Sequence, residues 1–293
     1  MFCVLIVVTV MALALVSLGG ALASAKAKAE RRPSGTIVIG YITWPEDVAV
    51  TDLWQTLLTE KGYHVRLVLA DMGPLYEGLA NDSVNLFFDA WLPHDHGPYW
   101  YGKADRYAEI IDRWYLSPTQ EGFVVPNYVR NVNTIPQLKT TGAEFGNVIV
   151  GIEPGAGLTR LSEKAIKMYG LPETLEIGST PAMLAELAKA EIGKKPIVVT
   201  LWSPMWAFAK WQLKYLKDPK NVFGPPDNIY AVANDKFVRA NPQVVSWIKR
   251  FHLNQIQLGQ LEILLNNNPK DPQKAVSTWI AEHKDLVYSW FRG

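Results

Sequence analysis

At 293 residues the chain is long enough for two domains rather than one. Its 29 Lys+Arg against 28 Asp+Glu give no charge excess suited to nucleic acid or another polyanion, and 48% hydrophobic residues without a low-complexity tract exclude a disordered chain. Eleven tryptophans are many for this length. Core packing takes most tryptophans in any protein, but the residue is costly to expose and frequent at binding sites.

Residues 2–25 carry no charge, are almost all apolar, and are followed by the basic, polar run KAKAERRPSG. This pattern predicts a secretory signal peptide over residues 1–25, with small-residue cleavage sites at Ala21-Leu22-Ala23 or Ala23-Ser24-Ala25. The run is also long enough to serve as an uncleaved membrane anchor; the small residues at its end favour cleavage. Cys3, the single cysteine, lies inside it and too early for a lipid-attachment cysteine, so the mature chain is expected to hold no disulfide and no cysteine metal site. A cysteine-free exported protein suits a bacterial periplasm.

From Gly35 onward, β-rich runs alternate with helical ones. Thr36–Ile42 reads as a strand, and Asp47–Lys61 as a helix with apolar residues at helical spacing. Val65–Leu69 is a strand, Leu75–Ala80 a short helix and Val84–Phe88 a strand. The pattern then repeats. Strands are expected at Val148–Ile152, Thr174–Ile177 and Ile197–Leu201, and helices at Leu158–Tyr169, Ala182–Ala190 and from Met205. Such alternation predicts two α/β domains built on parallel sheets. Between them, Glu121–Val125 and Ile229–Ala233 read as strands that cross from one domain to the other and back. Everything after Pro242 is helical and is expected to pack on the first domain. The boundaries that follow are 35–121 plus 230–293 for lobe I and 122–229 for lobe II, a clamp with a cleft.

In open α/β sheets ligands bind beyond the carboxyl ends of the strands. Three of the expected strand ends present a tryptophan followed closely by proline: Trp44-Pro45, Trp91-Leu92-Pro93 and Trp202-Ser203-Pro204. A single tryptophan there is more often core than site; three at equivalent positions point to a site. Flat rings suit a quaternary ammonium group, which has no N–H to donate and is recognised through ring quadrupoles. A fourth strand end presents Glu153 and then Pro154-Gly155-Ala156-Gly157-Leu158, opening a helix. Its free backbone N–H groups attract an anion, although a lone GxG is also simply a tight turn. Together the two features describe a site for a small zwitterion.

His94 and His96 would share a face in extended chain and resemble half a zinc site, but no third ligand is evident. A histidine donating to a ligand carboxylate fits the pattern better. No G-x-S-x-G elbow or nucleophile–base pair supports a secreted hydrolase, so no catalytic residue, metal or cofactor is assigned. Glu46, Asp47 and Asp89 are expected to orient loops or, for Asp47, to cap the first helix.

The segments ITWPEDVAV, DAWLPHDHGPYW, GFVVPNYV, IEPGAGLTRLSEKAI, PAMLAELAKA, PIVVTLWSPMWAFAKWQLKYLKDP and IYAVAND resemble the glycine betaine-type substrate-binding proteins of ABC transporters. The resemblance covers nearly all of residues 35–293. It implies an α/β, two-lobed periplasmic binding protein of the type II, Venus-flytrap kind, with two crossover strands. It further implies a monomer that is not an enzyme and that delivers a compatible solute to a membrane permease with a cytoplasmic ATPase. By motif the ammonium cage falls on Trp44, Trp91 and Trp202, and the carboxylate on Gly157 N–H, Leu158 N–H and His96. His94 is then an additional, solvated histidine. Where the family motif reads like TGWTPHW this chain has TLWSPMW, so Leu201 and Met205 replace a glycine and a histidine beside the expected cage. The ligand implied is glycine betaine or another carboxylated betaine, with choline or carnitine as the alternative.

Overall fold

The computed structural model describes residues 35–292. The expected signal peptide, its cleavage sites and Cys3 lie outside the described residues. In chain order the strands are β1 (Thr36–Tyr41), β2 (His64–Leu69), β3 (Leu86–Leu92), β4 (Ala108–Arg113), β5 (Gln120–Pro126), β6 (Val148–Val150), β7 (Thr174–Glu176), β8 (Val199–Ser203), β9 (Leu213–Tyr215) and β10 (Asn228–Asn234). They form two five-stranded sheets, in the orders β2-β1-β3-β10-β4 and β7-β6-β8-β5-β9.

Neither sheet is wholly parallel. β10 runs antiparallel to β3 and β4, and β5 runs antiparallel to β8 and β9. Both are the first strand laid down after the chain passes from one sheet to the other. β1, β3, β6 and β8 point their carboxyl ends at the space between the sheets, so a strand entering from that space must run the other way. The sequence placed these two segments at the crossings; in the structure each belongs to one sheet. The connecting stretches are tied together where the Thr119 hydroxyl donates to the Asp227 carbonyl at 2.8 Å.

The larger helices are α1 (Pro45–Glu60), α2 (Met72–Asn81), α3 (Gly157–Tyr169), α4 (Thr180–Gly193), α5 (Gln255–Asn267) and α6 (Pro272–Glu282). α1 starts two residues earlier than expected because Pro45 is well suited to a first helical position, where its missing N–H costs nothing. Asp47 is not its cap. The carboxylate accepts the Ile42 N–H at 2.7 Å and the Thr51 hydroxyl at 3.3 Å, bracing the exit of β1 against the first turn of α1. The inward face of α1 carries Ala49, Val50, Leu53, Trp54, Leu57 and Leu58. Trp54 stacks on Phe88 at 5.6 Å and meets Phe251 edge-on at 5.5 Å. α5 and α6 pack against α1. Trp54, Trp114, Trp279 and Trp290 are fully buried there, the ordinary core use of tryptophan. Among the described residues no helix is long and apolar enough to cross a membrane.

Candidate functional site

β3 is buried along its whole length, LFFDAWL, as a central strand covered on both faces must be. It runs four residues past its expected end, so Trp91 is part of the strand rather than the loop. Trp202 likewise lies within β8. Ladder pairing therefore fixes the backbone of both rings. Trp44 follows β1 and directly precedes α1. The Leu92–Pro93 and Ser203–Pro204 peptide bonds are both cis.

The three rings line one cavity, together with His96 and Leu158. Trp44 and Trp202 meet edge-to-face, their centroids 6.3 Å apart at 66°, and Trp44 lies 5.5 Å from the His96 ring. The cavity, counted with the space at its open mouth, comes to about 240 Å³. Gly157, at the start of α3, touches Asp95, which lines the same cavity. The structure therefore brings all six expected residues to one place. It does not bring Leu201 and Met205 there. Both are buried, but neither lines the cavity.

Each indole N–H in the cage donates to a carboxylate. Trp91 donates to Asp89 at 3.0 Å, Trp44 to Glu153 at 3.2 Å, and Trp202 to Glu46 at 2.6 Å. Two of these bonds join residues of different sheets. Glu153 also accepts the Thr43 hydroxyl at 2.9 Å and, from the first residue of α4, the Thr180 N–H and hydroxyl at 2.7 and 2.9 Å. Tyr99 adds a further link by donating to the Gly155 carbonyl at 2.9 Å.

His94 and His96 part company in the turn after β3. His94 is exposed and His96 is fully buried, so they share no face. The Trp91 N–H donates to His96 Nδ1 at 3.0 Å, and the His96 N–H returns a bond to the Trp91 carbonyl at 2.9 Å. Because Nδ1 accepts, Nε2 carries the ring proton. It faces the Asp95 carboxylate 3.4 Å away.

Asp95 and Glu121 are the part of the site that sequence reasoning missed. Glu46, Asp95 and Glu121 line the cavity beside the rings. Burial raises the Glu46 carboxyl well above its usual range; Asp89 and Glu262 add to this and the Trp202 indole opposes it. Burial likewise pushes Asp89 up to about 8 against the pull of the Trp91 indole. Glu121 is half-exposed as a residue, yet its carboxyl is enclosed. That enclosure raises it, Asp95 and Asp227 add, and Arg160 opposes. The acids at 46, 89 and 153 stood at strand ends in the sequence, but only the fold shows which ring each one holds.

Behind the cage, Glu262 on α5 is 2% exposed, and burial pushes it from the ordinary 4.5 up to about 8. A carboxyl harder to ionise when folded than when unfolded gives its full stability below about pH 4.5 and loses it as the pH rises through about 8. Glu262→Gln is thus expected to stabilise the protein at pH 8 by about 1–3 kcal/mol and to do little at pH 4.5. Thermal melts at the two pH values read this difference. An equal shift at both would mean that Glu262 ionises as freely in the folded chain as in the unfolded one.

Residues 35–282 match the family described as the substrate-binding domain of an ABC-type glycine betaine transport system. A glycine betaine/carnitine transport binding protein of Listeria monocytogenes is 35% identical over 158 residues, 53% of this chain and 52% of that one. The chain thus matches about half the length of that curated relative. Among solved structures, the glycine betaine/L-proline-binding protein ProX of Borrelia burgdorferi superposes with a TM-score of 0.81 at 26% identity, covering 87% of this chain and 96% of that one. Lactococcal OpuAC, closed on glycine betaine, gives 0.79 at 30% identity over 88% of this chain and 100% of the other. With 248 of its residues matched, this chain belongs to the family of substrate-binding domains of ABC-type glycine betaine transport systems.

Proposed function

We propose that this protein captures a small quaternary ammonium solute between its lobes, with the ammonium among Trp44, Trp91 and Trp202, and hands it to an ABC permease. The carrying observation is that these three rings, from both sheets, face one cavity. Each ring face contributes about 0.5–2 kcal/mol to holding a cation, the upper end when water is excluded. Three faces are therefore a substantial part of the roughly 8 kcal/mol of micromolar binding. The relatives suggest glycine betaine or carnitine as ligands, and choline carries the same ammonium head. For a carboxylated ligand the donors on offer are the N–H groups of Gly157 and Leu158 and His96 Nε2.

We read the protein as a monomeric receptor, not an enzyme, in keeping with the transport role of its family. We also read it as exported to the periplasm by its N-terminal apolar segment. Calorimetric titration with tetramethylammonium, choline, glycine betaine and carnitine tests the ligand class. At least one is expected to bind at micromolar concentration and to raise the melting temperature. If none of the four binds, the cage does not hold an ammonium group.

A further inference from the structure

Asp95 stands where the two expected carboxylate contacts converge. It is 5% exposed, lines the cage cavity, and packs against the first residue of α3. The packing is so close that a Cβ built on Gly157 would lie 1.5 Å from Asp95 Oδ1. On its other side Asp95 Oδ2 is 3.4 Å from His96 Nε2. The start of α3 and the His96 ring thus already face a carboxylate that belongs to the chain itself.

That carboxylate has no easy way out. The N–H groups of His94 and Asp95 each donate to one oxygen of Asp227, both at 2.8 Å. The Asp95 carbonyl accepts from the Arg160 guanidinium at 3.3 Å. Moving the turn to retract the side chain would break all three bonds. The remaining charge points the same way. Glu46 and Glu121 line the same cavity, and among the described residues no lysine or arginine forms an ion pair with either of them or with Asp95. Arg160 is the cation near this wall, and its contact is with the main chain of Asp95. A second carboxylate brought beside Asp95 meets like charge in a site shielded from water. An acceptor that lacks a partner, by contrast, favours a donor. Asp95 Oδ1 is such an acceptor, since it is buried and without a hydrogen bond, on a side chain that lines the cavity.

We propose that Asp95 makes this receptor selective for quaternary ammonium cations whose other end is a neutral hydrogen-bond donor, such as a hydroxyl, and sets it against carboxylated betaines. The inference rests on the tryptophan cage proposed above and concerns only the end of the ligand that the cage does not hold. The ammonium sits among the rings, and the far hydroxyl donates to the free oxygen of Asp95. Asp227 and Arg160 hold the turn, and His96 stands on the other oxygen.

Calorimetry on the protein as produced from the full-length chain, with choline, glycine betaine and tetramethylammonium as probes, tests this. Choline is expected to bind at least about tenfold more tightly than glycine betaine. Asp95→Asn is expected to narrow that gap by about tenfold or more, chiefly by improving glycine betaine. Glycine betaine binding the unaltered protein as tightly as choline overturns the proposal, and needs no variant to fold. So does Asp95→Asn shifting all three probes equally. If even tetramethylammonium fails to bind, the cage reading falls and this inference falls with it. Binding of tetramethylammonium without the choline preference removes the Asp95 role alone.

Discussion

Trp202→Ala is expected to weaken binding of a quaternary ammonium probe by at least about 30-fold. One desolvated ring face is worth up to about 2 kcal/mol, and that alone is near 30-fold. The substitution also removes the indole N–H that reaches Glu46 across the cleft at 2.6 Å. Glu46 is fully buried, and its second oxygen already has no partner, so the variant leaves a buried carboxyl without its donor at a further cost of about 1–3 kcal/mol. Trp202→Phe separates the two contributions. It keeps a ring face and loses the N–H, so its loss is expected to fall between wild type and Trp202→Ala. Calorimetry gives the affinities, and a circular dichroism melt without ligand shows that each variant is folded. Wild-type affinity in Trp202→Ala would remove the ring from the site.

The three tryptophans that line the cavity were legible in the sequence because their signal is local. A tryptophan and a proline at the end of an apolar run can be read three times without knowing the fold. The strand ends themselves were less legible. β3 continues through Ala90, Trp91 and Leu92 because the ladder with β10 continues, pairing Trp91 with Ile229 and Leu92 with Asn228. No run of hydrophobic residues announces a partner 138 positions away. β4 and β9 escaped notice for a related reason. β9 has three residues, all half-buried, and β4 lies at a sheet edge with mixed exposure, so neither shows clean alternation.

Leu201 shows how nearness in sequence misleads within a strand. Leu201 adjoins Trp202 on β8, and successive side chains of a strand point to opposite faces. A ring turned to the cleft therefore puts its neighbour into the core behind, where Leu201 is fully buried. The same rule limits what the departure at Leu201 does to the ligand: it acts on packing beneath the rings. His96 was legible as a polar residue five positions after Trp91. Its bond to the Trp91 N–H was not, since that depends on how the turn closes. Asp95 and Glu153 were the least legible. Their roles arise only when Gly157, Thr43 and Trp44 arrive from elsewhere in the chain.

The latch at Glu153 gives the second large effect. Glu153 follows β6 and gathers four donors: the Thr43 hydroxyl and Trp44 indole from beyond β1, and the N–H and hydroxyl of Thr180 at the start of α4. The Thr180 bonds lie within one lobe and hold the carboxylate in place; the bonds to Thr43 and Trp44 join the lobes and orient one wall of the cage. Hydrogen bonds to a charged group contribute about 1.5–3 kcal/mol each when shielded, and the partial exposure of this residue keeps the pair nearer the lower end. Glu153→Ala is therefore expected to weaken the affinity for a quaternary ammonium probe by about 10- to 100-fold, mostly through faster release, because the lost bonds bridge the two sides of the cavity. Glu153→Gln retains a single acceptor oxygen and is expected to lie between Glu153→Ala and wild type. Stopped-flow tryptophan fluorescence reads the two rates. A Glu153→Ala protein that releases its ligand at the wild-type rate would show that closure does not depend on this carboxylate. One that binds slowly but releases normally would place Glu153 in shaping the open cage instead of latching the closed one.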